Sequence, residues 1–178
     1  MSPSQDAKEK HAMPAAGSVS CVGCGALVPD IDGPTHRYIG APAGCWAAYM
    51  DILAKEFGEF SYPECHRLSV DTYAVQHPGT PSRQSIQSVG GHLVSLHLVL
   101  ERGLTSKKAT RALARVVERS AAFVWLDPPA SPGRLTVLDV RDARDLAEHE
   151  RRVRLWAESV WNAWSRHHDT VRRWAMLP

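Results

Sequence analysis

The sequence lacks the long apolar segments that carry proteins into or across membranes. Its 178 residues contain no run of about 18 consecutive apolar residues, which a membrane-spanning helix requires. The first residues, M-S-P-S-Q-D-A-K-E-K, are polar and show no apolar segment of the kind found in secretory signal peptides. We therefore expect a cytoplasmic protein with no membrane partner.

The common short motifs of nucleotide-binding proteins and hydrolases are also missing. There is no G-x-G-x-x-G, no Walker A loop, no G-x-S-x-G elbow and no H-E-x-x-H pair. These absences argue against a dinucleotide enzyme, a P-loop enzyme, a serine hydrolase and a zinc protease of the usual kinds. Any chemistry has to be sought in less familiar arrangements of side chains.

The chain has little net charge, only +2, but the charge is unevenly distributed. Residues 1–100 carry 6 basic and 9 acidic residues, a net of −3, whereas residues 101–178 carry 15 and 10, a net of +5. Acidic residues are interleaved with the arginines throughout the second half. This pattern favours a solvated, arginine-rich helix surface over a nucleic-acid partner.

Cysteine is scarce, yet three of the four cysteines are close together in the sequence. Cys21 and Cys24 form a Cys-x2-Cys knuckle, and Gly25 permits the tight turn that brings both thiolates to one ion. His36 and Cys45 are the nearest further ligands. Without a secretion signal, such cysteines are typical of metal sites rather than disulfides. We predict a Zn²⁺ site at these four residues, structural if all four bind and catalytic if water replaces one.

Helical spacing of apolar residues and turn signals predict an all-α protein. We expect a bundle of about five helices with an N-terminal zinc-knuckle loop, preceded by a disordered tail over residues 1–19, so that residues 20–178 form a single metal-binding helical domain. The helices are predicted over residues 42–57, 63–76, 83–101, 106–124 and 145–176, with a short capped turn over 136–140.

A second group of chemically active residues lies on the predicted second and third helices. His66, Tyr73 and His77 share one helix face. His66 and His77 are about 16 Å apart along a straight helix, too far to share an ion. If the two helices pair antiparallel, His92 approaches His66, and with Asp71 the set predicts a catalytic pocket. The alternative is that each histidine is a satisfied core or helix-end group.

Four stretches resemble one protein family: C-V-G-C-G, D-G-P-T-H-R-Y-I-G-A-P-A-G-C-W, V-D-T-Y-A-V-Q-H-P-G and S-I-Q-S-V-G-G-H-L. The chain is similar over residues 20 to about 175 to an uncharacterised bacterial family, domain of unknown function 5946. The resemblance implies no activity. The resemblance implies that the family is marked by Cys21, Cys24, His36, Cys45, His66, Asp71, Tyr73, Gln76, His77 and His92.

These patterns favour a zinc-binding helical protein with a polar pocket that binds a small molecule or acts on it as a metal-dependent enzyme. One alternative is a zinc-stabilised regulatory or interaction module that binds a protein or nucleic acid through its basic C-terminal helix. Another is a redox sensor that releases zinc when Cys21 and Cys24 are oxidised. Substrate and oligomeric state do not follow from the sequence.

Overall fold

The computed structural model describes residues 17–118 and 120–176, and these residues are mostly helical, as predicted. None of the helices in these two ranges is both long and apolar enough to span a bilayer. Short 3-10 turns lie at Ser120–Ala122 and Ser165–His167. The elements are β1 Ser18–Ser20, β2 Leu27–Pro29, α1 Ala43–Phe57, α2 His66–Gln76, α3 Arg83–Leu100, α4 Ser106–Val117, α5 Val137–Arg141, α6 Leu146–Ala163 and α7 His168–Ala175.

A two-stranded hairpin, which the sequence did not predict, holds the knuckle. Strands β1 and β2 are antiparallel, with Ser18 opposite Pro29 and Ser20 opposite Leu27. Each strand has only three residues, too few for an alternating apolar pattern to stand out. The predicted tail over 1–19 lies mainly outside the described residues, but its last two residues, Ser18 and Val19, belong to β1.

Helix starts follow the predicted boundaries closely where a polar side chain caps the helix. Ser82 accepts a hydrogen bond from the backbone of Ser85 at 3.1 Å at the start of α3. Asp145 accepts one from Glu148 at 2.8 Å at the start of α6. Such caps satisfy backbone N–H groups that have no partner inside the helix, which makes their residue types recognisable in a sequence.

The single helix predicted over 145–176 is wrong, because the chain bends at Trp164 and forms α6 and α7. The His168 ring stacks on Trp161 with centroids 3.9 Å apart, and His168 Nε2 donates to the Trp161 carbonyl at 2.9 Å. Trp164 is fully buried at the bend. Helix α4 also ends earlier than the predicted 124, since Val117 is its last residue.

Helices α2, α3 and α6 pack together and form the centre of the molecule. The buried Gln76, at the end of α2, donates from its amide nitrogen to the carbonyls of Pro132 at 3.0 Å and Leu135 at 2.8 Å. Its amide oxygen accepts from Trp156 Nε1 at 3.0 Å. All polar atoms of this amide are therefore used to fix the end of α2 against α6 and the loop before α5.

Candidate metal centre and adjoining pocket

Three cysteines and one histidine converge at the N-terminal end of the bundle. The ligand atoms of Cys21, Cys24, Cys45 and His77 all lie within 4.8 Å of one another, and all four residues are buried. Soft sulfur and imidazole donors in this number are the usual ligands of a tetrahedral metal ion. The cluster could therefore hold a metal ion.

Three separate segments supply these ligands. Cys21 and Cys24 lie in the turn between β1 and β2, which is closed by a hydrogen bond of 2.8 Å from Gly25 N to the Cys21 carbonyl. Gly25 has a φ of 78°, a backbone conformation that glycine adopts without strain. Cys45 lies in the first turn of α1, and His77 follows the last residue of α2.

Two of the separations between ligand atoms are close to those of a tetrahedral site. Cys24 Sγ and Cys45 Sγ are 3.8 Å apart, and Cys45 Sγ is 3.4 Å from His77 Nε2. Metal–sulfur and metal–nitrogen bonds of zinc length, set at tetrahedral angles, place two sulfurs about 3.8 Å apart and a sulfur and a nitrogen about 3.6 Å apart. The observed separations need little adjustment to accommodate an ion.

The imidazole of His77 is oriented by its own helix. Its Nδ1 donates to the Tyr73 carbonyl at 2.8 Å, so Nε2 is left to face the thiols. Metal-binding histidines are commonly fixed in this way, because the second nitrogen determines the tautomer and the ring orientation. Burial raises the pKa of Tyr73, so its hydroxyl stays protonated and donates to Cys45 Sγ at 3.6 Å.

The thiols also alter one another's ionisation. Hydrogen bonds from Cys24 and Cys45 lower the pKa of Cys21, whereas hydrogen bonds with Cys21 and Cys24, together with burial, raise the pKa of Cys45. Burial alone would lower the pKa of His77, but hydrogen bonds with Cys21 and Cys24 outweigh it and raise that pKa to about 9. A metal ion would replace the shared protons, because it binds thiolates and neutral imidazole.

The structure places His36 apart from the cysteines. His77 occupies the fourth ligand position, which the sequence analysis assigned to His36. The His36 ring lies against aromatic rings instead, with centroids 4.5 Å from Tyr38 and 5.3 Å from Trp46. Its Nδ1 is buried without a hydrogen-bond partner in the described part of the chain. These ring contacts turn the imidazole toward the aromatic side of α1.

The Gly23→Ala variant is expected to weaken metal binding about ten- to hundredfold. A methyl group at residue 23 would overlap the His77 ring and lie 3.0 Å from the Gln76 carbonyl, pushing the knuckle away from α2. Overpacking of this kind costs about 1–3 kcal/mol. Competition with a chromophoric chelator would measure the change. Val22→Ala is the matched control, since Val22 is 89% exposed and should bind metal as the wild type does.

Two of the predicted catalytic residues form a pair across α2 and α3. Asp71 is fully buried and accepts hydrogen bonds from His92 Nδ1 at 2.7 Å and Arg67 Nε at 3.0 Å. Ser95 Oγ donates to the same carboxylate at 2.5 Å. The carboxylate is enclosed by these donors, so His92 is the member of the pair that reaches a cavity.

His66 forms a second pair with a carboxylate that sequence reasoning did not select. Glu56, fully buried in α1, accepts from His66 Nδ1 at 2.7 Å, His149 Nε2 at 2.8 Å and Ser69 Oγ at 2.5 Å. Burial alone would raise the pKa of Glu56, but these hydrogen bonds lower it to about 2. The ligand atoms of Glu56, Cys65 and His149 also lie within 4.8 Å of one another, but the hydrogen bonds already occupy the carboxylate.

His66 and His92 line one pocket of about 350 Å³ between α1, α2 and α3. Tyr73 belongs to both sites, because its ring lines this pocket and its hydroxyl contacts Cys45. The predicted catalytic set is therefore divided: His77 lies with the cysteines, and Asp71 is behind the pocket wall. The residues lining the pocket are His36, Tyr38, Ile39, Trp46, Tyr49, Met50, Leu53, Phe57, His66, Val70, Tyr73, Ala74, Ser88 and His92.

Sequence reasoning missed Glu56, which supports His66, and the side chains that hold the two buried carboxylates in place. Glu56 looks like an ordinary acidic residue in the last turn of α1, and His149 like a surface residue in an arginine-rich helix. Ser69 and Ser95 carry no recognisable signal. The one usable sign was the polar face of α2, which marked His66 as a residue in need of a partner without indicating which one.

Comparisons with known proteins place the chain in a family without assigning it an activity. Neither the curated proteins nor the solved structures that were searched include a match to this chain. The model of the family described as "Family of unknown function (DUF5946)" matches residues 19–165, a range that contains the four candidate metal ligands and both histidine–carboxylate pairs. The chain belongs to this family.

Proposed function

We propose that the protein is a zinc protein whose Cys21, Cys24, Cys45 and His77 bind one Zn²⁺ as a structural centre. A site with four protein ligands has no open position for a substrate, so the ion would tie the hairpin to α1 and α2. Thiolate and imidazole donors in a tetrahedral arrangement favour zinc over the harder cations. What the ion supplies is therefore stability rather than Lewis-acid chemistry.

The function itself we assign to the aromatic pocket, where His66 and His92 bind a small molecule and exchange protons with it. The observation that carries this proposal is the hydrogen-bonding pattern of the two imidazoles. In both imidazole rings, Nδ1 is hydrogen-bonded to a fully buried carboxylate, whereas Nε2 has no protein hydrogen-bond partner among the described residues.

This arrangement suits general acid–base chemistry. A carboxylate behind Nδ1 fixes the tautomer, so that Nε2 of the neutral ring accepts a proton, and it then stabilises the imidazolium that forms. Glu56 provides such support for His66, and Asp71 for His92. Two such pairs on facing helices can take a proton from one atom of a ligand and give one to another.

Diethyl pyrocarbonate tests whether these nitrogens are available, because it modifies unprotonated imidazole nitrogens with a free lone pair. On the zinc-loaded protein, we expect His66 and His92 to be modified rapidly, as mapped by mass spectrometry of peptides. His168 is the matched control. It is 13% exposed against 12% for His66, but its Nε2 is bonded to the Trp161 carbonyl, so it should react at least tenfold more slowly.

Equal reaction rates for His66, His92 and His168 would contradict the proposal, because the pocket nitrogens would then have no special availability. Modification of His77 in the zinc-loaded protein would contradict the metal assignment, because a coordinated Nε2 has no free lone pair.

The alternative of an interaction module that uses the basic C-terminal helices gains no support from the arginines of α6 and α7. Arg152 pairs with Glu148 at 2.7 Å, Arg154 with Glu158 at 2.9 Å, and Arg172 with Glu101 at 2.7 Å. Arginines whose charge is balanced by nearby carboxylates attract phosphates weakly. The small-molecule pocket is therefore the proposal we carry forward.

A further inference from the structure

We infer that the ligand of the pocket is a small anion with a planar apolar body, of which an aromatic carboxylate is the simplest example. This inference rests on the proposed function of the pocket and adds to it the chemical class of the ligand. Three features carry it: the charges on the pocket wall, the buried carboxylates behind the wall, and the aromatic rings that form the remainder.

The wall offers positive charge but no negative charge. Among the described residues that line the pocket, the only groups that can become cationic are three histidines, and no carboxylate is present. A cationic ligand would meet aromatic faces without a counter-ion. An acidic ligand that gives its proton to Nε2 of His66 or His92 would become an anion hydrogen-bonded to a charged ring, and hydrogen bonds to charged groups are among the strongest available to a protein.

Glu56 and Asp71 make this charge possible without competing for the ligand. Each carboxylate is fully buried and already accepts hydrogen bonds from three side chains, so neither faces the pocket as a free acceptor. Each lies directly against Nδ1 of a pocket histidine, so the ring presents its Nε2, and not the carboxylate, to a ligand. An acid that transfers its proton to Nε2 would form an ion pair with that ring.

The rest of the pocket suits a flat apolar group. Tyr49 and Tyr73 are stacked with centroids 3.8 Å apart, and Trp46 lies 5.5 Å from Tyr49. Aromatic faces and edges attract other planar rings as well as burying apolar surface. A volume of about 350 Å³ is at the lower end of the range for ligand sites, which limits the ligand to one or two rings.

Four small probes test the inference on the zinc-loaded full chain. Benzoate has the ring and the charge, benzamide is its neutral isostere, benzylamine carries the opposite charge, and acetate lacks the ring. Long-range ¹⁵N–¹H spectra of the imidazoles report binding at each histidine. We expect benzoate to shift Nε2 of His66 and His92 and to bind at least tenfold more tightly than the other three probes.

Variants locate the binding. His66→Gln and His92→Gln should each weaken benzoate binding about tenfold or more, and His168→Gln, outside the pocket, should leave it unchanged. Ser88→Phe fills the pocket without altering either histidine–carboxylate pair and should abolish binding. Metal content and far-ultraviolet circular dichroism show whether each variant is folded. Should His66→Gln fail to fold, His92→Gln and Ser88→Phe still decide the question.

The outcomes separate the two proposals. Tighter binding of benzylamine or equal binding of benzamide at the same histidines would overturn the anionic ligand but leave the small-molecule pocket intact. Failure of all four probes to shift either histidine would overturn both. Benzoate binding that survives Ser88→Phe would place the anion elsewhere and would also overturn the inference.

Discussion

Replacing Cys45 with serine is expected to remove the metal and unfold most of the protein. Cys45 is the ligand between the knuckle and His77, 3.8 Å from Cys24 Sγ and 3.4 Å from His77 Nε2. Structural zinc contributes about 10–16 kcal/mol of apparent binding energy, whereas a whole domain is stable by about 5–15 kcal/mol. Plasma mass spectrometry and circular dichroism on untagged protein, purified without chelator, should show one zinc in the wild type and none in the variant.

Cys65→Ser is the matched control, because Cys65 is a buried cysteine outside the cluster. Burial and the neighbouring Glu56 raise the pKa of Cys65 to about 12, so it stays a neutral thiol. This variant should keep its zinc. Two histidine variants test the identity of the fourth ligand. His77→Ala should lose the metal and His36→Ala should retain it. The reverse result, or a Cys45→Ser protein that still holds one zinc, would contradict the centre described above.

The second large effect is expected at Glu56. Glu56→Ala removes the acceptor shared by His66, His149 and Ser69 and leaves their donors without a partner inside the protein. Removing one member of a buried ionic group typically costs about 3–5 kcal/mol. Urea unfolding of the zinc-loaded protein would measure this loss. A loss below about 1 kcal/mol would mean that the three donors find other partners.

The same carboxylate should make stability depend on pH in acid. The pKa of Glu56 is about 2 in the folded protein and 4.5 ordinarily, so its contribution is complete above about pH 4.5 and is lost as the pH falls towards 2. The difference corresponds to about 3 kcal/mol. Thiol protonation releases zinc in acid as well, so the useful quantity is the stability difference between wild type and Glu56→Gln at each pH. That difference should shrink as the pH falls.

Glu148→Gln is the control for this pH effect. The pKa of Glu148 is also lowered to about 2, by hydrogen bonds from Arg144 and Arg152, but its partner Arg144 is 84% exposed, so solvent screens this pair. Its variant should show little pH-dependent difference from the wild type. Identical behaviour of the two glutamine variants would argue against a special role for the buried carboxylate.

Much of the helical framework could be predicted because its signals are local. Ser82 and Asp145 use their own side chains to cap α3 and α6, so they mark helix starts in any context. The bend at Trp164 has no such marker, since neither glycine nor proline is present there. It depends on His168 packing on Trp161, a contact that exists only once both helices are docked.

The candidate metal ligands show the same division. The knuckle cysteines are recognisable from spacing alone, because they lie within one turn. The choice between His36 and His77 depends on tertiary packing. His36 is nearer in sequence, but α2 places His77 beside the thiols, and the His36 ring packs against Trp46 instead. Sequence distance is a poor guide once a ligand is carried by a helix that packs against the site.

The pocket was predictable only in outline. His66 and His92 were expected to approach across two antiparallel helices, and the structure brings both to one cavity. Asp71, the partner of His92, was in the predicted set, but the partner of His66 was not predictable, because Glu56 comes from α1 and is held there by His149 of α6. A buried hydrogen bond of this kind links residues that are far apart in the chain, so its cause is invisible until the helices are assembled.

The cluster joins a hairpin, the start of one helix and the end of another, and this has a consequence for synthesis and turnover. The three cysteines leave the ribosome before residue 77, so the fourth ligand arrives only when α2 has folded back on α1. With zinc bound as proposed, retention of the ion would report that the chain has finished folding. In a cell short of zinc, newly made chains would stay open to proteases, and scarcity would appear as low abundance of the protein rather than as a stock of inactive molecules.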